Sequence, residues 1–112
     1  MSERYQKLVD DLRAAVLAGD GVTDGTVRAA IASRAGALSG SRAPSQGAVP
    51  AAVAGFVDKV ARHAYTVTDD DIRALRQAGY SEDAIFEITA SAAVGAALGR
   101  LERGVAALQG EA

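Results

Sequence analysis

Apolar residues recur every three or four positions along most of the chain, which predicts helices. The first predicted helix covers residues 2–18 and stops at Gly19, and the second ends near Leu38. Their apolar positions are Tyr5, Leu8, Val9, Leu12 and Val16 in the first helix, and Val27, Ile31, Ala35 and Leu38 in the second. Residues 38–50 are rich in Ser, Gly and Pro and lack this period, so they predict a loop.

Three further helices are predicted after the loop. The third has Pro50 at its start, where proline is tolerated, and carries Val53, Phe56, Val57 and Val60 on one face. A short fourth helix carries Ile72 and Leu75, and a long alanine-rich fifth helix runs from Ser81 to about Leu108. No segment shows the alternation of a strand. The sequence therefore predicts one compact all-α domain of five helices over residues 1–112, near the common size for a single core.

The acidic segment between the third and fifth helices has the pattern of helix caps. Thr68 is a strong N-cap residue, and Asp71 stands three positions later, as in a capping box. Val67 and Ile72 flank this cap as a hydrophobic staple, and Gly79 is placed to end the fourth helix in the left-handed conformation. The same pattern recurs twice, with Tyr80, Ser81 and Ile85, and with Val22, Thr23 and Val27. These acids are thus interpreted as structural, and no calcium-loop spacing or other metal site is predicted.

The fifth helix has no charge between Ile88 and Gly99. A helix that is apolar on every face is buried on every face, and four short neighbours can hardly enclose it. A second subunit is the expected cover, which predicts a homo-oligomer. Small residues spaced by four (Ser91, Gly95 and Gly99) would allow close helix approach and are the predicted oligomer interface. The alternative is that these small residues only reflect an alanine- and glycine-rich composition.

Charge and cysteine content exclude several function classes. Twelve basic and fourteen acidic residues are interspersed, so no basic face attracts a nucleic acid or an anionic membrane. The absence of cysteine excludes disulfides, thiolate catalysis and sulfur-bound zinc. The uncharged run is too short to cross a bilayer, and the charged N-terminus does not resemble a signal peptide, so a cytoplasmic location is expected. No phosphate-binding glycine motif is present, no cofactor is predicted, and the composition suggests a GC-rich bacterial genome.

His63 is the one side chain whose ordinary pKa suits proton transfer near neutral pH. Tyr65 and Arg100 are the candidate polar companions for a catalytic role. The structural alternative is that His63, beside Lys59 and Arg62, places positive charge at the negative end of the third helix.

The fourth and fifth helices also have the arrangement of a helix-turn-helix module. A DNA-reading version would carry basic or amide side chains at the start of its second helix. This position reads Ser81, Glu82, Asp83, and two carboxylates would repel phosphate. DNA binding is therefore kept only as a reserve hypothesis.

Residues 53–108 resemble the C-terminal half of the alkylhydroperoxidase-like and carboxymuconolactone decarboxylase superfamily. The resemblance lies in an aliphatic helix, the hairpin VTDDDIRALRQAGYSEDAI, and a long alanine-rich helix that ends near Arg100 and Leu101. It implies an all-α fold and a homo-oligomer with interlocked helices. The Glu, Cys-x-x-Cys and His signature of the peroxidase branch would fall near residues 38–46, which read LSGSRAPSQ. Because both cysteines and the histidine are missing there, no catalytic residue is carried over and no thiol peroxidase activity is expected.

Two function classes follow from these observations. The first is a catalytically silent, oligomeric helical protein that acts as a structural, regulatory or partner subunit, for example beside a cysteine-bearing paralogue. The second is a cysteine-free enzyme of the carboxymuconolactone decarboxylase type that uses His63 in a cleft between subunits. The missing signature and the unpaired histidine favour the first class.

Overall fold

The computed structural model describes residues 3–110, which contain five α-helices and no strand. The helices are α1 (Glu3–Arg13), α2 (Gly25–Leu38), α3 (Ala51–His63), α4 (Asp69–Gln77) and α5 (Glu82–Leu108). A π-helical segment, Ala14–Ala18, extends α1, and a 3₁₀ turn, Ala64–Thr66, follows α3. The predicted all-α class and the five helices are confirmed, while Ser2 lies outside the described residues.

The hydrophobic core lies where α5 packs against α2 and α3. Its largest fully buried side chains are Ile31 of α2, Val53 and Val57 of α3, and Ile88 of α5. Leu75 connects α4 to this cluster. Full burial of one such side chain contributes about 1.5–3 kcal/mol, so these contacts hold α5 against α2 and α3.

α2 and α5 approach each other closely at glycines. A Cβ atom added to Gly99 would lie 2.6 Å from the carbonyl oxygen of Gly36, and one added to Gly95 would lie 2.6 Å from the Cα atom of Ala32. Ser91 is fully buried. The predicted close helix approach is therefore real, but its partner is α2 of the same chain. This corrects the assignment of Ser91, Gly95 and Gly99 to an oligomer interface, because the groove that they form is already filled.

Two of the three predicted caps are present. The backbone N–H of Thr68 donates to the Asp71 carboxylate at 2.8 Å while Thr68 Oγ1 accepts from the Asp71 N–H, so the capping box forms with Asp in place of Glu. Ser81 Oγ accepts from the N–H of Ala84 at 3.1 Å. Gly79 has φ +101°, the left-handed conformation expected for it.

The third cap differs from the prediction. Asp24, and not Thr23, caps α2, and its carboxylate accepts from the N–H of Thr26 at 2.9 Å. Thr23 lies one residue too early for this role and binds a side chain of α5 instead. The local pattern alone did not distinguish the two neighbouring capping residues.

The loop between α2 and α3 is anchored by side chains at both ends. Glu102 of α5 accepts from the Ser41 hydroxyl at 2.8 Å and from the backbone N–H of Arg42 at 2.9 Å. Ser33 Oγ accepts from the N–H of Gln46 at 2.8 Å. These bonds lead the loop along the surface of α2 and α5, where it covers part of the helix pair.

α5 spans 27 residues and is long and apolar enough to cross a membrane by length and composition. The sequence-based expectation had counted only its uncharged central run. In this fold the helix packs against α2 and α3. The core helices of globular proteins can be equally long and apolar, so length and composition alone do not indicate a membrane span.

Candidate interaction surface

Two of the three candidate catalytic residues, His63 and Tyr65, contact each other at the end of α3, and the third, Arg100, binds the backbone of α3. The rings of His63 and Tyr65 lie edge to face with centroids 6.0 Å apart, and both residues are exposed. The Arg100 guanidinium donates to the carbonyl oxygen of Ala61 at 2.5 Å, which satisfies a carbonyl in the last turn of α3.

This arrangement has few features of an active site. The His63 side chain has no carboxylate or carbonyl partner among residues 3–110 that would orient its ring for proton transfer. Neither His63 nor its two companions line any of the four cavities described for the protein. Arg100 instead binds a carbonyl oxygen in the last turn of α3, which is a structural contact.

A charged network that the sequence analysis missed ties α5 to the segment before α2. The Glu87 carboxylate accepts from the Val22 N–H at 2.9 Å, the Thr23 N–H at 2.9 Å and the Thr23 hydroxyl at 2.5 Å. The Thr23 hydroxyl, these two backbone N–H groups and the nearby Arg28 guanidinium hold the pKa of Glu87 below its ordinary value. A Cβ atom on Gly21 would lie 2.5 Å from Glu87 Oε1, so the glycine makes room for the carboxylate.

Arg28 is the buried partner in this network. It is 5 % exposed and donates to the carbonyl oxygens of Val16 at 2.8 Å and Gly19 at 2.5 Å. These carbonyls end the first helix, so Arg28 caps its C-terminus from the side. Its Nε atom has no hydrogen-bond partner among residues 3–110 and lies 3.9 Å from Glu87 Oε1. Because the hydrogen bonds of Glu87 and Arg28 hold chain segments together, we assign the network a structural role.

A cavity of about 560 Å³ lies between the first helix, α2 and α5. Its wall is mostly alanine, glycine and leucine, and the polar residues that line it are Asp10, Arg13, Ser33, Ser41 and Glu102. Ser33, Ser41 and Glu102 already bind the loop between α2 and α3. Few polar groups remain to orient a ligand, although the volume is in the range of small-molecule sites. Among the described residues, no group of three or more His, Cys, Asp or Glu side chains could hold a metal ion.

The apolar side of α1 remains largely uncovered. α1 contains no buried residue, and Tyr5 and Leu8 are each 57 % exposed. Together with Leu101 and Leu108 of α5, they line an apolar surface that we call the α1–α5 groove. Large apolar side chains gathered in this way are typical of interaction sites.

The outer face of α5, opposite α2, is also apolar. We define it by Phe86, Ala90, Ala93 and Ala97, of which Phe86 is 73 % exposed, Ala90 is half-buried, and the last two are exposed. The described helices therefore cover only one side of α5. This observation agrees with the sequence argument that the chain has too little material to enclose its longest helix.

The chain matches no protein-family model, no curated protein and no solved structure. The resemblance to the alkylhydroperoxidase-like superfamily thus stays a prediction based on the sequence pattern of residues 53–108. The observations that bear on function are the surfaces and side chains described above.

Proposed function

We propose that the protein is an oligomeric, catalytically silent helical subunit with a structural, regulatory or partner-binding role, and that it is a cysteine-free relative of the alkylhydroperoxidase-like superfamily. The observation that carries this proposal is the uncovered apolar surface, made of the α1–α5 groove and the outer face of α5. Removing apolar area from water is favourable by roughly 25 cal/mol per Å² before the entropy cost of association is subtracted, so a surface of this kind favours self-association.

The chemistry of the described residues supports the same proposal. The network of Glu87 with Thr23 and Arg28 connects α5 to the segment before α2. His63 lies outside the cavities and has no orienting partner among residues 3–110. DNA binding gains no support either, since Glu82 and Asp83 occupy the first turn of α5 and are exposed.

Light scattering over a range of protein concentrations tests the proposal. We expect a mass above that of the monomer at micromolar concentration. Leu8→Glu and Phe86→Glu place a charge at exposed apolar positions, and at least one of them should weaken association by roughly 30-fold, as loss of an interface residue worth ~2 kcal/mol does. Both should leave the melting temperature of the monomer almost unchanged because neither side chain is in the core.

Gln77→Glu is the matched control. It adds the same charge at an exposed position of α4, away from the apolar surface, and should not change the mass. A monomeric mass at every concentration would show that the apolar surface does not drive self-association.

A further inference from the structure

We infer that two copies of the chain pair through the outer face of α5 in antiparallel orientation, with the two-fold axis passing between residues 91 and 92. This inference rests on the proposed self-association and adds the contacting helix, the orientation and the register.

The shape of the outer face suits a close helix pair. Phe86, Ala90, Ala93 and Ala97 are separated by four, three and four residues, which is the spacing of a seam between two packed helices. Three of the four side chains are alanine, so two such helices can approach to the short end of the usual ~8–10 Å range. The exposed side chain of Phe86 supplies most of the apolar area that this pairing would remove from water.

The charges at the two ends of this face decide the orientation. On this face Asp83 lies three residues before Phe86 and Arg100 lies three residues after Ala97, and both are exposed. A parallel pair would place Asp83 beside Asp83 and Arg100 beside Arg100, which is repulsive at both ends. An antiparallel pair places Asp83 of each copy beside Arg100 of the other, and it also aligns the helix dipoles favourably.

Both charged groups can accept a new partner. Asp83 makes no hydrogen bond or ion pair with residues 3–110. Arg100 uses one N–H on the carbonyl oxygen of Ala61, and its guanidinium carries five donors in all. The antiparallel contact would thus add ion pairs without breaking one that the chain already makes.

The position of the axis follows from the same two charges and is supported by side-chain size. Matching Asp83 with Arg100 in both directions centres the pair midway between them, between residues 91 and 92. In this register Phe86 of one copy faces Ala97 of the other, and Ala90 faces Ala93. The large side chain therefore meets a small one at both ends, which is how packed helices fill the space between them.

Distances between identical positions in the two copies test the register. The chain has no cysteine, so Ala93→Cys, Ala97→Cys and Leu101→Cys each create one site for a spin label. With a rise of about 1.5 Å per residue in each copy, the separation along the helix axis should be about 5 Å, 17 Å and 29 Å at the three positions. Gln77→Cys on α4 serves as a control for labels outside the pair.

The outcomes separate this inference from the proposed function. Equal distances at all three positions mean a parallel pair, and uniformly long distances in an assembled protein mean contact through another surface, such as the α1–α5 groove. Either result overturns the antiparallel pairing and leaves self-association standing. A protein that stays monomeric overturns both.

Charge exchange gives a second, independent test. Asp83→Lys and Arg100→Glu should each weaken self-association by roughly tenfold or more, because each creates two like-charge contacts in an antiparallel pair. An equimolar mixture of the two variants should recover association, since every contact in the mixed pair is again between opposite charges. Arg100→Glu also removes the hydrogen bond to the carbonyl oxygen of Ala61. The melting temperature of each variant alone shows whether this loss destabilises the monomer. Variants that associate as well as the parent chain would contradict the antiparallel arrangement.

Discussion

Replacing Gly95 by alanine should destabilise the fold, while the same replacement at Gly104 should stabilise it. Both glycines lie inside α5, where alanine is favoured over glycine by about 1 kcal/mol. They differ in what a new methyl group would touch. A Cβ atom at Gly104 would meet no atom of the described residues 3–110 within 4 Å, whereas one at Gly95 would meet the backbone of Ala32 in α2.

The distances set the size of the effect. A Cβ atom at Gly95 would lie 2.6 Å from the Ala32 Cα atom, while ordinary contact begins near 3.4 Å, so the two helices must separate by about 0.8 Å or more. Overpacking of this kind typically costs about 1–3 kcal/mol, which exceeds or offsets the gain in helix propensity. Gly104→Ala should gain about 0.5–1 kcal/mol. The two variants should therefore differ by roughly 1–3 kcal/mol in the free energy of unfolding.

Urea denaturation followed by circular dichroism measures this difference. At roughly 4 °C per kcal/mol, the melting temperatures should differ visibly as well. Both variants and the parent chain should be compared at several protein concentrations, because self-association adds to apparent stability. If Gly95→Ala stabilised the protein as much as Gly104→Ala, the close approach of α2 and α5 would be refuted.

Four further results are expected. Thr68→Ala and Ser81→Ala should each lower the free energy of unfolding by about 0.5–2 kcal/mol, because each removes a capping oxygen, and an unchanged melt would argue against the caps. Glu87→Gln should cost about 1–3 kcal/mol at neutral pH. Because folding lowers the pKa of Glu87, its contribution to the free energy of unfolding is present above the ordinary carboxyl pKa of about 4.3 and is lost as the pH falls below that value. The free energies of unfolding of the parent chain and of Glu87→Gln should therefore converge in acid. The purified protein should not reduce an alkyl hydroperoxide through thiol chemistry, because it has no cysteine. Turnover in a coupled peroxidase assay would contradict this prediction. His63→Ala should change the melting temperature only slightly, since the residue is exposed at the end of α3.

The positions of the helices and two of their caps were determined locally, and sequence reasoning therefore found them. Thr68 and Ser81 bond to N–H groups three residues away, and Gly79 ends α4 through its own backbone conformation. Interactions of such short range involve residues that are close in sequence, so they can be recognised from short sequence patterns. The same reasoning predicted that the rest of the chain would leave part of α5 for a second subunit to cover, and this second subunit stays a prediction.

The partners of these elements were decided only by the tertiary structure. Gly95 and Gly99 are small because α2 packs against them, and the spacing of small residues alone cannot say whether the approaching helix belongs to the same chain or to another copy. Thr23 and Glu87 are 64 residues apart in sequence and are joined through a bond of 2.5 Å. A single threonine and a single glutamate have no pattern that identifies one as the partner of the other. Such long-range contacts depend on how the helices pack in space, since the sequence records the residue types but not which distant segments meet.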